Sequence, residues 1–478
     1  MRARLLALSA GALLAACAVG PDYVRPTVET PAAWRIDLPQ AESLANSAWW
    51  RQFDDPVLDA LIEEALQNNA DLQIAAARVD QFIGALRSTR SQFYPQFGYA
   101  GSASRNRASE RGPTPLPAGT DPWYNLYEAS LGAAWQIDLF GRVRRESEAA
   151  QAAVYASEQG RRGVVLSLVA SVASSYIALR ALDRELEISR ATAKNYAETL
   201  KLFELRYGGG VVSQIELEQV RSQYLQAKAA IPSFERQVAA QENLVSILLG
   251  RNPGPIERGK TIDELAEPGI PGGLPSDLLE RRPDILQAEQ NLVAANAQIG
   301  AAKALYFPSI SLTGLIGTAS AALEDFLTAP AQVAQAAAGL SGPIFTFGAI
   351  EGQVQSAEAG ERAALAFYRQ TVRGAFAETN DALVGSQKSR EESDAQAQRV
   401  ASLREYARLS RLRFDNGYAS YLEVLYAENE LFSAELTSVA TRADHYAQLV
   451  AVYKAIGGGW LDEADKLAPK PLAGTKTD

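Results

Sequence analysis

The 478-residue chain holds one histidine, His445, and one cysteine, Cys17. Those two scarcities remove whole classes of chemistry. Serine and aspartate are plentiful, but one histidine supports no acid–base pair and no triad. One cysteine supports neither a disulfide within the chain nor a Cys/His metal cluster. His445 falls in a helical stretch and is expected at the surface. Positive charge is also scarce, 46 Lys and Arg against 56 Asp and Glu, for a net charge of −10. Nucleic-acid binders carry a basic patch or stripe, so nucleic acid is not an expected partner. No catalytic residue, metal ligand or cofactor site is expected, and the chain does not read as an enzyme. Proline is missing from Arg142 as far as Pro232, and no glycine cluster interrupts that stretch before Gly208-Gly209-Gly210.

What is present is organised around that gap. From Trp123 to Leu139 an apolar face alternates with Glu128, Ser130, Gln136 and Asp138, the period-two pattern of a strand. After Phe140-Gly141 the composition turns to Ala, Leu, Val, Glu, Arg and Gln. A continuous helix from Arg142 to Tyr207 would be about 100 Å long, far beyond an ordinary domain. A strand feeding such a helix suggests a tube.

The same grammar occurs twice. Residues 205–217 align without a gap on 412–424, an offset of 207 that also places Gly141 on Gly348 and Gly250 on Gly457. Phe93-Tyr94-Pro95 aligns on Tyr306-Phe307-Pro308, and Asp71 on Asp284, at an offset of 213. The chain therefore reads as a tandem duplication, each half running helix, strand, strand, long helix, tip loop, helix. The expected segments are a signal peptide over 1–16, an extended arm over 17–55, a first repeat over 56–250, a connector over 251–283, a second repeat over 284–457 and a disordered or loosely attached tail over 458–478.

Residues 1–17 begin with Met-Arg-Ala-Arg, continue through an apolar core from Leu5 to Leu14, and end Leu14-Ala15-Ala16-Cys17. The core is too short to span a bilayer and has the form of a secretory signal. Its ending resembles the lipobox of bacterial lipoproteins, which implies cleavage before Cys17 and acylation there. Several acyl chains anchor stably where one is marginal. Alanine at position 18, in place of an inner-membrane retention aspartate, points to the outer membrane. In the arm, Pro21, Pro26, Pro31 and Pro39 forbid a helix, and Trp34, Trp49 and Trp50 are candidate anchors.

Within the repeats, Pro56 opens a short helix and Asp71 caps the next. Strands are expected near 93–104, 123–139, 307–317 and 333–345, and a short connector helix near 276–281. Four strands cannot close a barrel, and an open edge facing lipid would leave backbone groups unpaired. Several chains must then each donate four strands to one closed barrel. Trp123, Tyr124 and Tyr127 at one end, with Trp135 and Phe140 at the other, read as interfacial girdles. Recurrent alanine and serine on the helices, as over 149–153 and 357–366, suit close antiparallel packing.

The lipobox, Gly20-Pro21-Asp22-Tyr23-Val24-Arg25-Pro26, the segment Leu274-Pro-Ser-Asp-Leu-Leu-Glu-Arg-Arg-Pro-Asp-Ile285, the two tip loops and Tyr453-Lys-Ala-Ile-Gly-Gly-Gly-Trp460 together resemble the TolC/OprM class of outer-membrane efflux channels, lipoprotein branch. The resemblance covers essentially the whole mature chain. It implies a mainly α fold with a small β part, and a homotrimer whose twelve strands form one outer-membrane barrel continuous with a periplasmic α-helical barrel. The implied partners are a periplasmic adaptor, a proton-driven inner-membrane pump and outer-membrane lipids. Solutes such as drugs would pass without any bond being made or broken. Two other readings stay open: a conduit for type I protein secretion, and a lipid-anchored coiled-coil adaptor that never crosses the membrane. The adaptor-docking tips would be Gly210, Val211, Val212 and Ser213, with Gly417, Tyr418, Ala419 and Ser420. The resemblance places a periplasmic gate on the helix after the second tip, at Leu422, Glu423, Tyr426, Asn429 and Glu430. The family's second acidic position there holds Tyr426. Residues 423, 426 and 430 share a face by helical spacing, so charge around an aromatic ring is expected, with Tyr426 as a steric gate and Glu423 favouring cations.

Overall fold

The computed structural model describes residues 18–31, 34–35, 48–111, 116–117, 119–270, 275–458 and 460–472. Helices α1 (Pro56–Asn68) and α2 (Ala70–Ser91) lead into strands β1 (Gln96–Arg107) and β2 (Trp123–Ile137), and then into α3 (Arg142–Gly208) and α4 (Gln214–Leu248). After a one-turn helix α5 (Leu278–Arg281), the second half repeats the order: α6 (Pro283–Ala304), β3 (Ser309–Ser320), β4 (Gln332–Ser341), α7 (Ala349–Asp415) and α8 (Tyr421–Ile456). A final helix α9 covers Trp460–Leu467. The duplication is kept more closely in the helices than in the strands, β2 having 15 residues and β4 only 10. Both α3 and α7 have 67 residues, and both α2 and α6 have 22.

Side chains repeat as well as lengths. Asn69, just before α2, donates from Nδ2 to the carbonyl of Leu248 at 2.9 Å, while its Oδ1 accepts from Leu72 N. Asn69 is therefore the cap that sequence reading assigned to Asp71, which sits inside the first turn. At the matching place in the second half, Arg282 donates from Nη1 to the carbonyl of Ala455 at 2.7 Å and grips Asp284 and Glu378. That accounts for Arg282-Pro283-Asp284 at the end of the specific connector motif: a buried arginine joins three elements.

Contacts divide the chain into two compact units, each assembled from separate stretches: residues 1–26, 81–156 and 288–368, and residues 27–80, 157–287 and 369–478. The first holds an antiparallel sheet in the order β1-β2-β3-β4. Strand limits differ slightly from expectation for physical reasons. Pro95 and Pro308 lack an N–H, and the residues before them turn back on the preceding helix, so β1 and β3 begin after the prolines. Strand β2 stops at Ile137 because the Asp138 carboxylate accepts from Val143 N and Arg144 N at the start of α3. Strand β4 stops at Ser341, ahead of Gly342-Pro343.

The second unit is built on an aromatic core. Trp49, Trp50 and Phe53 form a short 3₁₀ turn and are buried with Tyr446, Tyr453 and Trp460. Trp49 stacks on Tyr453 with centroids 5.0 Å apart and meets Trp460 edge-on at 6.0 Å. One stretch of α3 is long and apolar enough to cross a membrane, but 72% of it is buried within the protein. Two expectations fail here. His445 is buried, not at the surface, because Ser389 Oγ lies 3.1 Å from its Nδ1 and Glu267 lies 3.2 Å from its Nε2. The tail is not loose over its described part. Trp460, Leu461 and Ala464 enter the core, and Arg161, 1% exposed, binds Asp465 at 2.6 Å and the carbonyl of Pro469 at 3.3 Å.

Candidate functional site

Both tips lie in the second unit and end their helices alike. Val211 N donates to Arg206 O at 2.9 Å, and Tyr418 N donates to Arg413 O at 2.8 Å. Each closes a Schellman turn. The residue inside each turn, Gly210 at φ 70° and Gly417 at φ 78°, must be left-handed, which explains its glycine. Ser213 and Ser420 then occupy the N-cap positions of α4 and α8, Ser213 accepting from Glu216 N and Ser420 making no side-chain cap bond. Val211 and Tyr418 are exposed at the turns, whereas Phe203, Leu217, Val220, Tyr421, Val424 and Leu425 form a cluster that joins the two hairpins. Arg206 lies 5.9 Å from the rings of both Phe203 and Phe414.

The equivalent glutamates behave differently. Glu216 completes a capping box, its carboxylate accepting from Ser213 N at 2.8 Å. Glu423, at the same position of the second tip, instead accepts from Arg413 Nη1 at 2.8 Å. Glu430 likewise meets Arg399 at 3.2 Å. Both acids of the expected charged face therefore turn toward α7 and are paired. The outward stripe is made by Leu422 and Tyr426, 58% and 61% exposed, with Asn429 half-buried one turn on. Sequence reasoning missed the arginines because their partners are ten and 31 positions away. It also missed Glu428, whose carboxyl burial pushes up, opposed by Arg411. Arg411 and Glu428 line a cleft of about 480 Å³ with Tyr196 and Thr199.

In the first unit, register sorts the strand side chains by face. One face carries rows such as Tyr99, Leu131, Ile316 and Ala334; the other carries Ser102 opposite Glu128, and Gln136, Ser311 and Gly339 in one row. An apolar face and a polar face are what lipid and a water-filled lumen require. Trp123, Tyr127 and Trp135 share the apolar side, whereas Tyr124 points to the other by alternation. Phe140 is past the strand and stacks on Phe307 with centroids 4.7 Å apart.

Cys17 lies outside the described residues, but the segment that follows it is firmly seated in the first unit. Val19 N donates to Phe140 O at 3.2 Å. Gly20, at φ 108°, approaches Gly300 so closely that a Cβ would lie 2.4 Å from its Cα. Asn296 donates to Pro21 O, Arg145 to Asp22 at 2.7 Å, and both Tyr23 and Arg25 to Glu289. The Gly20–Arg25 motif is thus engaged at every residue except the exposed Val24.

Comparison with known proteins agrees with this geometry. The profile of the family described as outer membrane efflux protein matches residues 61–251 and 274–458. The solvent efflux pump outer membrane protein SrpC of Pseudomonas putida is 34% identical over 473 residues, covering 96% of this chain and 99% of the relative. The cation efflux system protein CusC of Escherichia coli is 32% identical over 463 residues, covering 96% and 99%. The open-state structure of the Neisseria gonorrhoeae MtrE outer membrane channel superposes with a TM-score of 0.83 at 29% identity, covering 93% of this chain and 99% of that one. With its duplicated halves, two-faced four-stranded sheet and paired helical tips, the chain belongs to the outer membrane efflux protein family.

Proposed function

We propose that the chain is the outer-membrane exit duct of a tripartite efflux system and works as a homotrimer. Twelve strands close one barrel, and the long helices form the periplasmic conduit. The observation that carries this reading is the four-stranded sheet with an apolar face, a polar face and two open edges, β1 and β4. An open edge in hydrocarbon leaves backbone groups unpaired, so further copies must complete it. The tips at 210–213 and 417–420 dock a periplasmic adaptor, and an inner-membrane pump supplies the energy. Cys17 carries acyl chains, and the seated 19–25 segment holds that anchor against the first unit. The duct moves its cargo passively and catalyses no reaction. Relatives named for solvent and cation efflux favour small solutes over secreted protein.

Deleting the gene in its host should lower the minimal inhibitory concentration of organic solvents or drugs, and the wild-type gene should restore it. Unchanged tolerance together with loss of a secreted protein would favour the secretion conduit instead. Intact mass of the mature chain should show an N-terminal Cys17 with added acyl mass; an unmodified cysteine would remove the anchor.

A further inference from the structure

Sorting the charges of the sheet by face isolates one residue. The four strands carry three charged side chains, Arg105, Arg107 and Glu128. Alternation puts both arginines on the apolar side with Tyr99 and Trp123, at the strand ends farthest from the long helices. Each is occupied there. The Arg105 guanidinium lies 5.7 Å from the centre of the Trp123 ring, and Arg107 donates to Glu110 at 3.0 Å.

Glu128 is the one charged strand residue on the polar side, and it is exposed. Ser102 stands opposite it on β1 and Ala319 on β3, while Leu126 and Ser130 flank it along β2 on the same face. The Ser102 hydroxyl donates to its carboxylate at 3.1 Å, which orients the group without cancelling its charge. Nor can a strand of another copy cancel it, since every copy carries the same neutral residues on that face. Glu128 is five residues from Trp123 and nine from Ile137, which leads into α3, so it stands nearer the outer mouth of the lumen than the helical end. Glu423 and Glu430 of α8, by contrast, are each paired with an arginine.

We infer that Glu128 sets the charge preference of the outer passage: its carboxylate, contributed once by each copy to an otherwise uncharged strand wall, favours cationic over anionic solutes. The inference rests on the homotrimeric duct and adds a specificity-determining residue to it. Acidic side chains on a pore wall raise the local concentration of cations and repel anions. In a wide lumen that influence extends only as far as salt allows. The screening length is about 30 Å at 0.01 M and about 3 Å at 1 M, so the preference is strong in dilute salt and nearly lost in concentrated salt.

Reversal potentials of the purified channel in planar bilayers, under potassium chloride gradients near 0.01 M and near 1 M, test the assignment. The unsubstituted channel should favour potassium over chloride in the dilute gradient and lose most of that preference in the concentrated one. Glu128→Gln keeps an acceptor for Ser102 and should lower the dilute-salt permeability ratio several-fold, with trimer yield by native mass spectrometry unchanged. Ser102→Lys leaves Glu128 in place but sets an ammonium directly opposite it, and should lower the ratio to the same extent. If Glu128→Gln does not assemble, Ser102→Lys decides. A trimer whose ratio stays at its original value in whichever of these variants assemble overturns the role of Glu128 and leaves the duct standing. A folded monomer of the unsubstituted chain in the membrane extract overturns both.

Discussion

At the scale of single residues, the second tip differs from the first in one decision: where a glutamate at the third helical position sends its charge. Glu216 returns to its own cap, and Glu423 crosses to Arg413. A carboxylate paired with a guanidinium, as Glu423 is with Arg413, contributes little net field of its own. Arg413→Gln should unmask it and raise cation over anion permeability in planar bilayers several-fold, whereas Glu423→Gln should shift preference toward anions. Tyr426→Ala should raise single-channel conductance with trimer yield unchanged; if it instead lowered trimer yield at constant conductance, Tyr426 would be a packing residue. The place of residues 422–430 on the helix after the second tip was legible, because helical spacing and the tip alignment locate it. Their partners were not, since Arg399 and Arg413 approach only when α7 and α8 pair, and sequence spacing carries no record of that. His445 was misread for the same reason: its partner Glu267 belongs to a connector without periodicity.

At the scale of elements, the repeat made most of the fold readable. Period-two alternation identified β2 and β3, and the two offsets matched the halves, with α2 and α6, and α3 and α7, equal in length. The tail failed because Trp460-Leu-Asp-Glu-Ala-Asp-Lys-Leu467 is too short for a periodic signal, and its polar residues resemble a loose end. Three of its four apolar side chains are buried in the core, Leu467 being exposed, and an ion pair of Arg161 with Asp465 fixes it further. Helix α9 is therefore a clasp on the aromatic core. Trp460→Ala should cost about 3–5 kcal/mol, the range for emptying a buried aromatic site. Thermal unfolding followed by circular dichroism should register it as a clear drop in Tm; an unchanged Tm would mean that α9 is dispensable.

At the scale of the molecule, the duplication sets a tolerance. The two offsets differ only across the hairpin loops, where the first half has the longer connection, between Arg107 and Trp123. Everywhere else the halves keep step, and α3 and α7 reach their tips after the same 67 residues. Removing seven residues from α3 alone would draw its tip back by about 10 Å, at 1.5 Å per residue, and separate Phe203 from Tyr421. Removing seven from α3, α4, α7 and α8 together would keep the tips level. The one-sided deletion should abolish export and the four-sided deletion should spare trimer assembly, readable by solvent tolerance and native mass spectrometry. The paired helices thus behave as matched rulers: length can drift in such a lineage only by coordinated edits, so the reach of the conduit is a quantity that single insertions cannot tune.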